Sequence, residues 1–157
     1  MPLQEFQLLL LQSQLESVRF LLSVATSTPQ DLMKRPPTGK WSPHEQICHI
    51  ARVQDIFFAR FERIIGERIP PKLERYSAES DPEWNIIKQK STQASLEYAF
   101  MRRKELINYI SGVKLSDIKK KGIHPALGEL TFEIWVEFFL AHEGFHIYRL
   151  LSLLQYR

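Results

Sequence analysis

The chain has 157 residues, of which 44% are hydrophobic and 25% are charged, and its formal net charge is +3. These values are typical of one globular domain, so we predict a single domain over residues 1–157. The longest basic runs, 102–104 and 119–121, are three residues each. They are too short to indicate a nucleic-acid-binding arm, and the composition excludes a disordered or fibrous protein.

The sequence also lacks the signals of export and of membrane insertion. No stretch approaches the ~20 apolar residues that a membrane helix requires. No Lys or Arg precedes Arg19, so the leucine-rich start has no positive segment of the kind that opens a secretory signal. The lone Cys48 cannot form an internal disulfide, which fits a reducing compartment. We therefore expect a cytoplasmic protein that binds neither membrane nor nucleic acid.

Two helices are predicted in the first half of the chain. A first helix is predicted from about Gln4 to Ala25, because leucine and valine recur there at steps of three and four. A second helix is predicted from Pro43 to about Gly66. It begins with the sequence Ser-Pro-His-Glu at 42–45, in which Ser and Glu form a capping box around a first-position proline. Pro70 and Pro71 forbid its continuation.

Two more helices are predicted in the second half. The third runs from Asp81-Pro82 to Ser111-Gly112 and is long enough to contain a kink or two shorter helices. Residues 124–130 are predicted to form an ordered loop, and no strand is predicted. Thr131 then caps a final helix that reaches almost to Arg157. Four amphipathic helices with loops of moderate length predict an all-α four-helix bundle.

Three histidines share the inward faces of two of these helices. His142 and His146 lie four residues apart, on the face that also carries Trp135, Phe138, Phe139 and Leu150. His49 lies close to the core-facing side of the second helix. Three imidazoles facing one core predict a divalent metal site with open coordination positions. The alternative is a set of hydrogen-bonded core histidines, which would need partners for every ring nitrogen.

Other polar residues near these positions have more ordinary interpretations. His44 lies about 140° around the helix from His49, so we expect it to be exposed. Cys48 lies about 100° away and should not share a metal with His49. Glu45 could orient His49, although capping already explains it. His124 either braces its loop or lines the mouth of a cavity.

Residues 142–146 read His-Glu-Gly-Phe-His and match the H-E-x-x-H motif of metallopeptidases, in which the Glu is a general base. Those enzymes take a third ligand downstream, and residues 147–157 contain no His, Asp or Glu. A peptidase is therefore a minor alternative. In a helical bundle, Glu143 should point about 100° away from the metal, toward solvent or a partner helix.

Taken together, these motifs resemble the DinB-like superfamily of metal-dependent enzymes. The matching pieces are Trp-Ser-Pro-His-Glu at 41–45 followed by His49, His-Pro-x-x-Gly-x-Leu-Thr at 124–131, and His142-x-x-x-His146. The resemblance implies an up-down-down-up four-helix bundle that is often dimeric. It also implies that His49, His142 and His146 hold one divalent metal, usually nickel or zinc.

The resemblance leaves the reaction open. Some members transfer low-molecular-weight thiols such as bacillithiol, and others use mycothiol in an isomerase. We therefore expect a homodimeric, metal-dependent enzyme that acts on a small molecule, either a thiol-dependent S-transferase with a thiol cosubstrate or a hydrolase. The alternative from another class is a non-catalytic bundle that binds or senses metal.

Overall fold

The computed structural model describes residues 3–156, and helices dominate it. A 3₁₀ turn at Ala78–Ser80 precedes the fifth helix. In chain order the elements are α1 (Leu3–Gln14), α2 (Glu16–Val24), α3 (Pro29–Met33), α4 (Pro43–Gly66), α5 (Trp84–Lys88), α6 (Thr92–Ser111), β1 (Lys121–His124), β2 (Gly128–Thr131) and α7 (Phe132–Leu153).

The bundle is formed by α1, α4, α6 and α7, with α2 extending α1. Helix α4 packs against α6 and α7, and α1 packs against the same two helices. The consecutive bundle helices α1 and α4 therefore lie across the bundle from each other. Segment 67–91 carries the chain back along the bundle between α4 and α6.

The helix directions follow from contacts at both ends of each pair. His44 and Thr92, at the starts of α4 and α6, are hydrogen-bonded, and so are Phe61 and Tyr109 near their ends, so these helices are parallel. Hydrogen bonds from α7 show that it runs antiparallel to α4 and parallel to α1. The predicted up-down-down-up four-helix bundle is therefore confirmed.

The predicted helix boundaries are close to the observed ones. Both bonds of the capping box are present, because Ser42 and Glu45 each accept from the other's backbone N–H. The first predicted helix is interrupted at Leu15, and the third consists of α5 and α6, the second of which is capped by Ser91. The last helix ends at Leu153; Arg157 lies outside the described residues.

The prediction of a loop without strands before the last helix was wrong. Strands β1 and β2 form an antiparallel hairpin in which His124 pairs with Gly128. Gly128 has φ +74°, a conformation that glycine adopts without strain. A Cβ on Gly122 would come within 2.8 Å of Ile64, so glycine allows the hairpin to lie close to α4. Four-residue strands are too short to show alternation in the sequence.

A polar layer separates two apolar clusters in the core. One cluster includes Phe57, Phe61 and Trp135, and the other includes Ile47 and Leu150. The polar layer between them contains four buried or half-buried side chains from all four bundle helices: Gln14, Gln54, Arg103 and Glu143.

Candidate metal centre

Three histidine rings meet where α4 packs against α7. The ring centroid of His49 lies 4.2 Å from that of His146 and 5.3 Å from that of His142. One nitrogen from each ring lies within 4.8 Å of the other two, and no second group of this kind occurs among residues 3–156. The convergence expected from helical periodicity is therefore observed, whereas metal ligation stays a prediction.

Antiparallel helices and aromatic side chains build this pocket. Because α7 is antiparallel to α4, His142 and His146 approach His49 from the opposite side of the pocket. Trp41 stacks on His146, and Tyr76 stacks on His49, at centroid distances of 5.9 and 5.8 Å. His49 and His146 are buried, with exposed fractions of 3% and 8%. The aromatic rings thus shield the imidazoles from bulk water.

This environment keeps all three imidazoles neutral. Burial, with the nearby His146 and His142, lowers the pKa of His49 to about 2. Burial, with His142 and Arg149 nearby, lowers the pKa of His146 to about 3. The pKa of His142 is also lowered, by burial and by Arg60. The neutral imidazole is the form that binds metal.

Gln46 orients His146, a contact that the sequence analysis missed. Its Oε1 lies 2.8 Å from Nδ1 of His146, so Nδ1–H donates to the amide oxygen. That bond leaves the lone pair of Nε2 free for an ion. The signal was present in the sequence, because Gln46 lies three residues before His49 and shares its helix face.

The donor set and its spacing fit a transition metal. Nε2 of His49 lies 3.0 Å from Nε2 of His142. Two nitrogens bound at ~2.0–2.1 Å to one ion lie about 3 Å apart, and imidazole suits zinc and nickel. Nδ1 of His49 is buried and has no hydrogen-bond partner within the described chain. The hydrogen-bonding capacity of this ring is therefore not fully used by the protein, which distinguishes His49 from a fully hydrogen-bonded core histidine.

The family model of the DinB superfamily matches residues 14–149. The chain belongs to the DinB superfamily. YfiT from Bacillus subtilis, described as a probable metal-dependent hydrolase with an unusual four-helix bundle topology, has a similar fold. The TM-score is 0.82 at 17% identity, over 96% of this chain and 85% of that chain. No functionally curated protein matches significantly.

His44 is a buried residue in this DinB-superfamily protein, and the expectation that it would be exposed was wrong. Its Nδ1 lies 2.8 Å from Oγ1 of Thr92, and its Nε2 lies 3.0 Å from the carbonyl oxygen of Lys88. The junction between α5 and α6 covers the first turn of α4, which periodicity within α4 does not predict. His44 remains outside the histidine cluster, as expected.

Cys48 and Glu45 also lie outside the cluster. Cys48 is buried beside Trp84, its Sγ lies 3.3 Å from Nε2 of His44, and burial raises its pKa. Glu45 binds Arg35 and the backbone of Ser42. Its carboxylate is therefore engaged in the cap and an ion pair, and it does not orient His49.

Glu143 points away from the histidines into the polar layer. It is 0% exposed and paired with Arg103, and it accepts hydrogen bonds from Gln54 and Gln14, each at 2.9 Å. It therefore faces partner helices rather than solvent. A general base must reach the reacting water. This buried, fully paired carboxylate does not, which argues against the peptidase alternative.

Two cavities reach the cluster from opposite ends. The larger, about 760 Å³, is lined by His146, Gln46 and Trp41 among others. The smaller, about 470 Å³, is lined by His142 and His124 among others. Nδ1 of His124 also accepts from two backbone N–H groups of the hairpin turn. His124 therefore has both of the roles considered for it.

None of the described helices is long and apolar enough to cross a bilayer.

Proposed function

We propose that this chain binds one divalent transition metal, nickel or zinc, through His49, His142 and His146, and that it is a metal-dependent enzyme acting on a small molecule. The observation that carries the proposal is the convergence of three neutral imidazoles beside two cavities. No carboxylate or thiol completes this cluster within the described chain. Three neutral ligands leave an ion its full charge and room for a substrate.

Each contributing residue has a role that follows from its contacts. A divalent ion held by His49, His142 and His146 would lower the pKa of a bound thiol or water, so that the nucleophile would form at neutral pH. Gln46 holds His146 in the tautomer that can bind the ion. Trp41 and Tyr76 pack on the imidazole rings and exclude bulk water from them.

Transfer of a thiol is the reaction that the two cavities favour. Two separate cavities can hold two reactants, a thiol on one side of the centre and an electrophile on the other. The protein offers no thiol of its own, because Cys48 is buried on the far side of α4. A low-molecular-weight thiol must therefore act as cosubstrate. Its sulfur forms the new bond, its proton passes to solvent, and the electrophile releases its leaving group.

Hydrolysis is the second candidate reaction. The similar fold of YfiT, described as a probable metal-dependent hydrolase, favours it. In that case one cavity holds the substrate and water takes the place of the thiol. The rival from another class is a metal-binding or sensing bundle, which a coordination sphere closed by a further ligand would favour.

The metal assignment is tested by metal content. Each of the variants His49→Ala, His142→Ala and His146→Ala should lose more than 90% of bound nickel or zinc after loading and desalting. His44→Ala is the matched control, since His44 is also buried and lies on the same helix as His49. It should keep wild-type metal content, and equal loss in this control would contradict the assignment.

The reaction class is tested with a panel of cellular thiols and a chromogenic haloaromatic electrophile. Metal-loaded protein should accelerate conjugation with at least one thiol. His146→Ala should abolish this activity, whereas Cys48→Ser should retain it. If no thiol reacts faster with protein than without it, the reaction is hydrolysis or the site is not catalytic.

The homodimer also remains a proposal. Light scattering coupled to size-exclusion chromatography should give a mass twice that of the chain, and a monomeric mass would contradict it.

A further inference from the structure

The larger cavity beside His146 has an unusual balance of charge. One carboxylate, that of Glu79, lines it, and so do four cationic side chains. The cationic residues are Arg35, Lys40, Lys88 and Arg149. Arg35 is neutralised by an ion pair with Glu45, in which the nitrogen–oxygen distance is 2.6 Å. The cavity therefore retains a clear excess of positive charge.

The other three cations form no ion pair with a carboxylate among residues 3–156, although Glu79 interacts with Lys88 at longer range. Arg149 lies 5.0 Å from the ring centroid of Phe145, and Lys88 lies 5.4 Å from that of Trp84. These aromatic contacts hold the two cations along the cavity wall without neutralising them. They stay available to an incoming anion.

The same cavity offers flat apolar surfaces that lead to the histidines. Trp41, Trp84 and Phe145 line it. The rings of Trp41 and Trp84 lie 5.0 Å apart, and Trp41 stacks on His146. An apolar wall with a few convergent polar groups is the usual construction of a small-molecule site.

We propose that the larger cavity binds an organic anion, a small molecule in which a carboxylate lies next to a flat apolar part. Arg149 and Lys88 contact the carboxylate, and the flat part packs against Trp41. Arg149 provides two parallel N–H donors, which match the two oxygens of a carboxylate. That this anion is a substrate rests on the proposed function, whereas its binding by the cations does not require the metal.

The test uses the full chain with metal removed by a chelator, so that a carboxylate cannot bind the ion instead. The probes are 4-nitrobenzoate and its neutral analogue 4-nitrobenzamide, which quench indole emission. Trp41 and Trp84 line the cavity and report the binding. At low salt the carboxylate should bind at least tenfold more tightly than the amide, and added salt should reduce this preference.

The variant Arg149→Gln should reduce the preference to threefold or less, and Arg149→Lys should keep most of it. Arg19→Gln is the matched control, because it removes the same charge from an exposed helix residue that is paired with Glu16. It should behave as wild type. Circular dichroism on each variant confirms that the fold is retained.

Several results would overturn the proposal, and they are distinguishable from failure of the proposed function. An unchanged preference in Arg149→Gln and in the double variant with Lys88→Gln overturns it. Arg60 lines the smaller cavity, so loss of the preference in Arg60→Gln alone places the anion there and overturns the proposal too. A preference seen only with metal places the anion on the ion, which overturns this proposal and leaves the proposed function standing. Conversely, a protein that shows the expected preference but binds no metal supports this proposal and contradicts the proposed function.

Discussion

Two adjacent residues of α7, His142 and Glu143, belong to two different polar clusters. The clusters differ in how many of their polar atoms have hydrogen-bond partners. Glu143 belongs to a cluster in which Arg103 and two glutamine amides contact the carboxylate. His142, one residue earlier, belongs to the histidine cluster. There, one buried nitrogen of His49 lacks a partner within the described chain. The first cluster is sealed in the bundle, whereas the second opens on two cavities.

This difference distinguishes buried polar groups that stabilise the fold from polar groups that are available to bind a ligand. A buried group that has all its partners contributes to one defined packing, and substitution leaves those partners unsatisfied. Neutral rings with unused lone pairs beside a cavity offer binding capacity instead. The comparison therefore predicts that one cluster controls stability and the other controls metal binding.

The largest effect on stability is expected from Glu143→Gln. The change removes the negative charge and leaves the buried guanidinium of Arg103 without a counter-ion, which costs about 3–5 kcal/mol. Urea unfolding at pH 7 measures the loss. The folded variant should keep wild-type metal content, since Glu143 does not contact the histidines.

Two further variants sharpen this prediction. Combined replacement by apolar residues, Arg103→Met with Glu143→Leu, should cost less than either single change, because no uncompensated charge remains. Glu129→Gln removes an exposed ion pair with Lys121 and should cost less than about 1 kcal/mol. Metal loss in Glu143→Gln without loss of stability would reverse the assigned roles of the two clusters.

An intermediate effect is expected from Gln46→Leu. The change removes the acceptor for Nδ1–H of His146, so the affinity for metal should fall about 10–100-fold. Competition with a chromogenic chelator measures the affinity. Gln54→Leu is the matched control, a buried glutamine on the same helix that belongs to the Glu143 cluster. It should lose stability and keep its affinity, and equal losses of affinity would contradict the comparison.

The smallest effect is the pH dependence of the metal-free protein. The pKa values of all three histidines are lowered in the folded state, to about 2 for His49 and about 3 for His146. The unfolded chain therefore binds more protons as pH falls below 6.5, and stability decreases. Thermal unfolding should show a falling Tm between pH 7 and 5, above the range in which carboxylates titrate. His146→Ala should flatten the fall, and a constant Tm in the wild type would contradict neutral burial.

Local signals in the sequence were sufficient for the four bundle helices, whereas the short helix α3 at Pro29–Met33 was not predicted. The capping box formed by Ser42 and Glu45 fixes the start of α4, because its two hydrogen bonds join residues only three apart in the sequence. The hydrophobic repeat predicted the bundle, and the helical period placed His49, His142 and His146 on inward faces that do meet. These features depend on neighbours along one helix, which a sequence displays directly.

Only the tertiary structure decided what depends on contacts between distant segments. His44 is buried because residues 88 and 92 cover it, and Glu143 finds its counter-ion on α6. Gln46 serves His146 across 100 residues of sequence. The sequence by itself determined the main inward faces of the four bundle helices. The packing of antiparallel α4 and α7 decided which polar groups find partners and which remain free to bind a ligand, because that depends on distances between helices rather than on spacing within one.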